Sequence, residues 1–296
     1  MTAIPVCPLR CGDSCRFAFT VGAFDVYQCQ GCGLYLLTGG PQGNDLTLDR
    51  TQFDDAFRTL RLSNYRRIFD AVAQHIALTS ARLLDVGSSS GWFLHSAVER
   101  GCTCFGIEPD AYFCERARDS LPPTVSVVGG YFPQDLPAEW GSFDIITFHD
   151  VFEHLDDPQA VLGACRGRLK AQGLVVLSLP SADGFAFRLG RLLWHVGWKR
   201  PLERIFQVNY PFPHLYYFTP TSLARLAAAT GFDIVASGRV DGFAVRGSLR
   251  RARLDEPTPG VGVVGQYATA LGLVGLALLQ RLVPADSIYV VLRPRT

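Results

Sequence analysis

Short apolar runs alternate with stretches of helical periodicity through the middle of the chain. Five runs predict strands at 82–86, 102–107, 124–128, 143–148 and 174–179, and three stretches predict helices at 91–100, 110–119 and 158–170. The segment from 128 to 143 shows almost no helical pattern, so that connection is expected to be irregular. Strands that alternate with helices are typical of a parallel sheet covered on both faces, so the pattern predicts a doubly wound α/β domain.

Further elements flank this core. Apolar positions from Phe57 to Val72 recur at helical spacing and predict an amphipathic helix before the first strand. Near the other end, Pro220 starts a helix that stops at Gly231, because proline suits the first turn and glycine suits the position after the last. Strands are expected at 233–237 and from Ser287 onward.

Composition and charge narrow the class of protein. The 296 residues allow one large domain with an appendage or two modest ones, and the formal charge of +1 offers no chain-wide field to hold nucleic acid. A nucleic-acid partner is therefore not expected. The first seven residues have neither the basic flank nor the apolar run of a secretory signal, so a reducing cytoplasm is expected.

Five of the nine cysteines crowd the first 32 residues. Cys29 and Cys32 form a CxxC knuckle, and Cys7 and Cys11 form a looser CxxxC partner; four thiolates suit a tetrahedral zinc. Cys15 is a fifth thiol that could replace Cys11, and free thiols or a redox pair are the alternative. The prediction is a zinc-ribbon-like segment over 1–45, followed by a second domain over 46–296.

The first turn from strand to helix carries candidate chemistry. A dinucleotide fingerprint needs glycines at 87, 89 and 92, but Ser89 and Trp92 stand at two of these positions. What remains is DxGxxxG, formed by Asp85, Gly87 and Gly91. An acid there suits a ligand with an ammonium or sulfonium and would repel a pyrophosphate. Glu108 ends the next strand at a spacing that suits ribose hydroxyls.

Four motifs occur in order along the chain: LLDVGSSSG at 83–91, GIEPD at 106–110, FDIITFHDVFEHLDDP at 143–158 and HLYYFTP at 214–220. With them the sequence resembles the class I S-adenosylmethionine-dependent methyltransferases, in particular the small-molecule group with a cysteine-rich N-terminal ribbon. The resemblance implies a mostly parallel, seven-stranded, Rossmann-like sheet. Ser89 is a departure, because the family usually has glycine there.

The resemblance also implies a cofactor site for S-adenosylmethionine. Asp85, Gly87 and Gly91 are expected at the methionine end, Glu108 at the ribose, Tyr131 or Phe132 near the adenine, and His149 and Asp150 beside the sulfonium. Ser88, Ser89, Trp92, Phe93 and Pro109 complete the expected set, with core packing as the alternative for Trp92 and Phe93.

Candidate catalytic residues follow the fourth predicted strand of the sheet: His149, Asp150, Glu153 and His154. A base is needed if the acceptor is a hydroxyl or a carbon acid. Glu153 and His154 resemble an acid–histidine pair of sugar C-methyltransferases. The sequence DxxEH of Asp150, Glu153 and His154 also resembles the divalent-metal cluster of quinone-precursor O-methyltransferases. A third interpretation is that Glu153 and His154 only stiffen the loop.

Two later segments bear on partners. The aromatic-rich insertion 183–218 is expected to act as a substrate lid. Four of its basic residues, Arg188, Arg191, His195 and Lys199, share a helix face opposite apolar ones, which fits a solvated face, a lid for an anionic substrate or a membrane-surface contact. Residues 257–280 carry no charge, but a spanning helix would separate the last strand from the sheet. A buried helix, peripheral membrane contact or homodimer contact is expected instead.

The sequence therefore predicts an enzyme that transfers a methyl group from S-adenosylmethionine to an oxygen or carbon nucleophile of a small molecule, an anionic one by modest preference. The alternative is a non-catalytic S-adenosylmethionine-binding or scaffold protein that recruits a partner through its zinc ribbon, since fold alone does not establish activity.

Overall fold

The computed structural model describes residues 4–12, 14–39, 50–208, 212–253 and 263–295. The predicted domain boundary at 45/46 and positions 257–262 of the uncharged segment lie outside the described residues. The chain divides into two compact units. The first comprises Met1–Leu60, Pro180–Leu223 and Arg239–Ser287, and the second comprises Arg61–Leu179, Ala224–Gly238 and Ile288–Thr296.

The second unit holds a seven-stranded sheet, apart from the ends of three of its strands. Its strands are β4 Arg82–Val86, β5 Thr103–Glu108, β6 Ser126–Gly129, β7 Phe143–His149, β8 Leu169–Pro180, β10 Phe232–Val240 and β11 Ser287–Pro294. They are ordered β10-β11-β8-β7-β4-β5-β6, and the pairings of β4 with β5 and β7, of β5 with β6 and of β7 with β8 are parallel. The predicted doubly wound, mostly parallel seven-stranded sheet is confirmed.

The described residues form nine α-helices, of which those at 200–205 and 248–253 were not predicted from the sequence. They are α1 Arg50–Val72, α2 Trp92–Val98, α3 Ala111–Ser120, α4 Pro158–Arg168, α5 Phe185–His195, α6 Arg200–Ile205, α7 Pro220–Ala229, α8 Ser248–Arg253 and α9 Val263–Leu279. Asp110 and Asp157 cap α3 and α4, each accepting two backbone N–H groups of the first turn. Between β6 and β7 the chain forms only one 3₁₀ turn, Ala138–Trp140, as the weak pattern there indicated.

The first unit contains a four-stranded sheet in the order β1-β2-β3-β9, made of β1 Cys15–Val21, β2 Phe24–Cys29, β3 Tyr35–Thr38 and β9 Tyr216–Tyr217. The last strand comes from the 183–218 insertion and pairs antiparallel with β3. Phe19, Val21 and Tyr35 of the ribbon share one buried cluster with Phe187 and Phe206 of the insertion.

The ribbon and the insertion, which the sequence presents as separate features, bury one common core. A three-stranded ribbon has an apolar face that so short a segment cannot bury alone, and the aromatic side chains of the insertion cover it.

Helix α5 packs with a different face from the one that its sequence suggests. Phe187 and Gly190 are buried, and the indole Nε1 of Trp194 donates a hydrogen bond to Thr20 O at 2.9 Å. Apolar residues that the sequence places opposite the basic ones are turned outward instead: Leu192 and Val196 are 62% and 75% exposed. The aromatic side chains occupy the inner position because they bury more apolar area against the ribbon than the aliphatic side chains would.

Helix α9 covers most of the uncharged segment. It is 17 residues long. Among the described residues, none of the helices combines the length and the apolar character that crossing a membrane requires.

Candidate cofactor and active site

The turn between β4 and α2 is shaped by close packing. Gly87 has a φ of 71°, and a Cβ there would lie 2.5 Å from Cγ2 of Val151, which follows β7. Gly91 has a φ of 78°, and its Cβ would meet Leu121 at 2.7 Å. Both positions require glycine, because a side chain would be strained by the left-handed backbone and would also clash. The DxGxxxG pattern therefore encodes the shape of this turn.

Ser89 also lies in the left-handed region, with a φ of 47°. This conformation costs a non-glycine residue about 1 kcal/mol, which gives a physical reason for glycine at this position in the family that the sequence resembles. Its backbone N–H points at Glu108 and donates a hydrogen bond of 2.8 Å to Oε2. The Ser88 side chain packs instead towards β5, where a Cβ on Gly106 would lie 2.9 Å from the Ser88 hydroxyl.

Glu108 is held at the end of β5 by two backbone donors. Oε2 accepts from Ser89 N and Oε1 accepts from Asp110 N at 2.9 Å. Burial raises the pKa of this carboxyl, although the two N–H groups favour the charged form. Each oxygen accepts one bond from the protein and keeps a lone pair, which suits a pair of vicinal hydroxyls.

Asp85 lies one residue before the end of β4, at the same edge of the sheet as Glu108 at the end of β5. It is buried, and its Oδ1 accepts a 2.7 Å hydrogen bond from the hydroxyl of Thr147, the residue beside it in the parallel register of β4 and β7. Burial raises the pKa of Asp85 to about 7, with the Thr147 hydroxyl acting in the opposite direction. A cationic ligand would favour the ionised form of this carboxyl.

The aromatic candidates differ in their surroundings. Phe93 is buried and stacks on Phe69 with ring centroids 4.6 Å apart, as the core-packing alternative supposes. His149 lies with its ring centroid 4.0 Å from that of Phe93, and within the described part of the chain neither of its ring nitrogens has a hydrogen-bond partner. Burial lowers the pKa of His149 to about 3, so the ring is neutral and a weak base.

The remaining cofactor candidates differ in their exposure. Tyr131 is exposed, while Phe132 is buried edge-on against Phe148 at 6.0 Å. Pro109 is exposed, and Trp92 is half-buried at the start of α2. The exposed ring of Tyr131 can stack on a planar ligand, whereas the buried ring of Phe132 packs against the core.

The DxxEH segment forms a tight connection after β7. Asp150 has a φ of 53°, and its N–H donates to Ser178 O at 2.8 Å. Glu153 is fully buried, and burial together with the negative charge of Asp150 raises its pKa well above the ordinary value. His154 is half-buried in the same 3₁₀ turn, Phe152–His154. The negative charge of Asp150 favours a proton on Glu153 or a bound cation.

Arg61 is a site residue that the sequence reasoning missed. Its Nε lies 3.9 Å from Asp150 Oδ2, and its positive charge partly offsets the effect of burial on the pKa of Asp85 and Glu108. The available signal was its position four residues before Tyr65, on the apolar face of the predicted helix. Thr147 was missed as well, because only the strand register places it beside Asp85.

The ribbon brings four thiols together. The sulfur atoms of Cys7, Cys11, Cys29 and Cys32 all lie within 4.8 Å of one another, with 3.7 Å between Cys7 and Cys32 and 3.1 Å between Cys11 and Cys29. A tetrahedral zinc with bonds of about 2.3 Å separates its sulfurs by about 3.8 Å.

The CxxC knuckle of Cys29 and Cys32 also favours the thiolate form of Cys29. Although burial raises the pKa of Cys29, hydrogen bonds from the backbone amide of Cys32 and the thiol of Cys11 bring it to about 7. Cys15 is buried outside this group of four.

The described residues fit an S-adenosylmethionine-like ligand. Glu108 presents two acceptor oxygens, Asp85 presents a buried acid suited to a cation, and His149, the last residue of β7, has buried ring nitrogens that find no hydrogen-bond partner among the described residues. Buried polar atoms are normally hydrogen-bonded, so unsatisfied ones next to a turn at the strand ends are consistent with a ligand.

Comparison with known proteins supports a methyltransferase. A sequence model for a methyltransferase domain matches residues 57–237. A ubiquinone biosynthesis O-methyltransferase from Xanthomonas campestris is 37% identical over 125 residues, which are 40% of this chain and 52% of the relative; one from Chromobacterium violaceum is 28% identical over 61% of this chain and 76% of its own length. The chain thus spans about half the length of the first of these relatives.

A solved cyclopropane synthase from Mycobacterium tuberculosis has a TM-score of 0.57 and 17% identity, over 84% of this chain and all of that structure. This likeness shows the fold alone. The chain belongs to the methyltransferase domain family, and its fold is that of the class I S-adenosylmethionine-dependent methyltransferases.

Proposed function

We propose that the protein transfers a methyl group from S-adenosylmethionine to an oxygen of a small molecule. The observation that carries the proposal is the pairing of the β4–α2 turn with Glu108, which together offer a cation-binding acid and a two-hydroxyl acceptor at the strand ends. Oxygen is preferred over carbon because the matched relatives carry the name O-methyltransferase. A phenolic or quinone-precursor acceptor is the proposed substrate class.

The site residues take separate parts in this proposal. Asp85 and Arg61 receive the ammonium and carboxylate of the methionine end, and Glu108 receives the ribose hydroxyls. Bound S-adenosylmethionine supplies a methyl group on a positively charged sulfur, which is open to in-line attack by a nucleophile. The protein mainly aligns acceptor and donor, since effective alignment accounts for much of the acceleration in such displacements.

Asp150, Glu153 and His154 are proposed to prepare the acceptor oxygen. A divalent cation held by the two carboxylates and the imidazole would lower the pKa of a bound phenol. Without a cation, His154 is the remaining base, because His149 is neutral and enclosed by aromatic rings. The raised pKa of Glu153 reflects a buried acid beside Asp150, an arrangement that a cation would stabilise.

We also propose a structural zinc at Cys7, Cys11, Cys29 and Cys32. Their mutual sulfur distances suit four-coordinate binding, which leaves no open position for chemistry. A reducing compartment such as the cytoplasm would keep these thiols available to the metal.

The test separates cofactor binding from transfer. Metal-replete protein is titrated calorimetrically with S-adenosylhomocysteine and then assayed with labelled S-adenosylmethionine against phenols, catechols and aliphatic alcohols, with and without Mg²⁺. The expected result is one-site binding lost in Glu108→Gln, and transfer to a phenolic oxygen reduced at least 100-fold in Glu153→Gln, whose binding persists. Binding with no transfer to any acceptor would favour the scaffold alternative, and no binding by folded protein would overturn the proposal.

A further inference from the structure

Helix α9 presents an apolar face to solvent. Val264, Tyr267, Leu271 and Leu278 recur at helical spacing and are exposed, Leu271 by 72%, and Leu282 in the turn after the helix is 83% exposed. Eleven of the twenty large apolar side chains that are exposed in the described part of the chain lie in 263–282 or in α5 with the three residues after it. An exposed apolar surface of this extent marks an interaction site more often than chance exposure.

The same two segments carry exposed positive charge. Arg188, Lys199 and Arg200 are exposed on or just after α5, and Arg281 is exposed just after α9; Arg246 and Arg250 are exposed before and within α8, which contacts α9. Arg188 pairs with Asp183, and Asp286 accepts a hydrogen bond from Ala186 N at the start of α5. Exposed apolar side chains and exposed cations therefore occur in the same segments of the first unit.

Helices α5 and α9 are linked through the segment that follows α9. Phe185 N donates to Pro284 O at 3.2 Å, and Ala186 N donates to Asp286 Oδ1 at 2.6 Å. The exposed Leu282 precedes these contacts by only two residues. Both helices belong to the first unit, and these bonds join the start of α5 to the segment after α9; their exposed apolar side chains and the nearby cations are together called the α5–α9 surface.

We propose that this surface docks on an anionic phospholipid bilayer. The occupant is chosen by charge, because apolar side chains with flanking lysine and arginine suit acyl chains below anionic headgroups. Trp198 and Tyr267 are of the types enriched at membrane interfaces. With 17 residues, α9 is shorter than the roughly 20 needed to cross a bilayer, so it lies in the interface plane.

A second copy of the chain fits this surface less well. A twofold contact presents the same patch to itself, and here it would bring the arginines of one copy against those of the other. The proposal concerns a surface and does not depend on the cofactor site.

The experiment measures partition of the full-length, metal-replete protein onto vesicles. Vesicles of phosphatidylcholine alone are compared with vesicles that also contain phosphatidylglycerol, at low and high salt. The variant Leu271→Gln/Leu278→Gln/Leu282→Gln removes the apolar face of α9, and Leu192→Gln/Val196→Gln/Trp198→Gln removes that of α5. Leu62→Gln/Ile234→Gln, at exposed apolar sites elsewhere, is the matched control.

The expected result is binding to the anionic vesicles that weakens with salt, falls at least tenfold in each triple variant and is unchanged in the control. Circular dichroism and S-adenosylhomocysteine binding establish that the variants are folded. No binding of the parent protein, or equal binding of either folded triple variant, would overturn the proposal. A dimer in light scattering that dissociates in the α9 variant would also overturn it, because a second copy would then be the occupant.

Discussion

At the scale of single residues, Ser89 contacts Glu108 through its backbone and not through its side chain. This contact is made by the backbone N–H, which any other small residue at this position also carries. We therefore expect Ser89→Ala to bind S-adenosylhomocysteine within about threefold of the parent, whereas Glu108→Gln should lose at least tenfold because charge-assisted bonds to the ribose are lost. Isothermal calorimetry measures both.

A control for backbone strain is Ser89→Gly. It relieves the left-handed conformation but frees the unfolded chain, so its unfolding free energy should stay within about 1 kcal/mol of the parent. Loss of cofactor binding in Ser89→Ala would show that the hydroxyl is itself a contact.

Asp85 makes cofactor affinity depend on pH. Burial raises its pKa to about 7, so below that pH the folded protein without cofactor holds a proton that a cationic ligand must displace. Affinity for S-adenosylmethionine should fall roughly tenfold for each unit of pH below about 7 and level off above it. Calorimetry across pH gives the profile.

The raised pKa of Asp85 also determines how the free energy of unfolding changes with pH. An acid whose pKa is raised by folding makes the folded state bind more protons than the unfolded one, so stability falls as pH rises from the ordinary carboxyl value of about 4 through 7. In Asp85→Asn both dependences should flatten. A profile that persists unchanged in this variant would assign the titration to another group.

At the scale of elements, the β4–α2 turn and the loop after β7 are fitted to each other at Gly87. Gly87→Ala would place a Cβ 2.5 Å from Val151, and we expect a loss of about 2–4 kcal/mol from overpacking and left-handed strain together. Chemical denaturation measures the loss.

Shortening the opposing side chain separates the two causes. When Gly87→Ala is made in the Val151→Ala background, the clash is removed and only the left-handed strain at position 87 remains. The loss of unfolding free energy, measured against Val151→Ala alone, should therefore be smaller than the loss that Gly87→Ala causes in the parent. Gly163→Ala, in α4 with open space around it, should instead gain about 0.5–1 kcal/mol. Equal effects of the two glycine substitutions would contradict the fitted turn.

At the scale of the molecule, the cysteine group supports more than the ribbon. Thr219 donates a hydrogen bond from Oγ1 to Cys32 O at 3.0 Å, and β9 of the insertion pairs with β3. Cys11→Ser should reduce bound zinc and speed hydrogen exchange over 185–206, because the shared core of the first unit loses its metal anchor.

Cys15→Ser is the matched control, since Cys15 lies outside the group of four. It should retain zinc and leave exchange unchanged, and residues 232–238 serve as a reference from the other unit. Zinc loss in Cys15→Ser with retention in Cys11→Ser would reverse the ligand assignment. Zinc loss without faster exchange would separate the metal from the insertion.

The sequence by itself determined the alternation of strands and helices, the turn around Asp85 and Gly87, the acid at Glu108 and the grouping of the N-terminal cysteines. These are local: periodicity selects an element, and spacing along parallel strands places their carboxyl ends at one edge of the sheet. Tertiary structure decided the rest. Thr147 meets Asp85 through strand register, and the outward turn of the leucines on α5 depends on which side chains the ribbon leaves room to bury. Such contacts join residues far apart in sequence, so no local pattern records them.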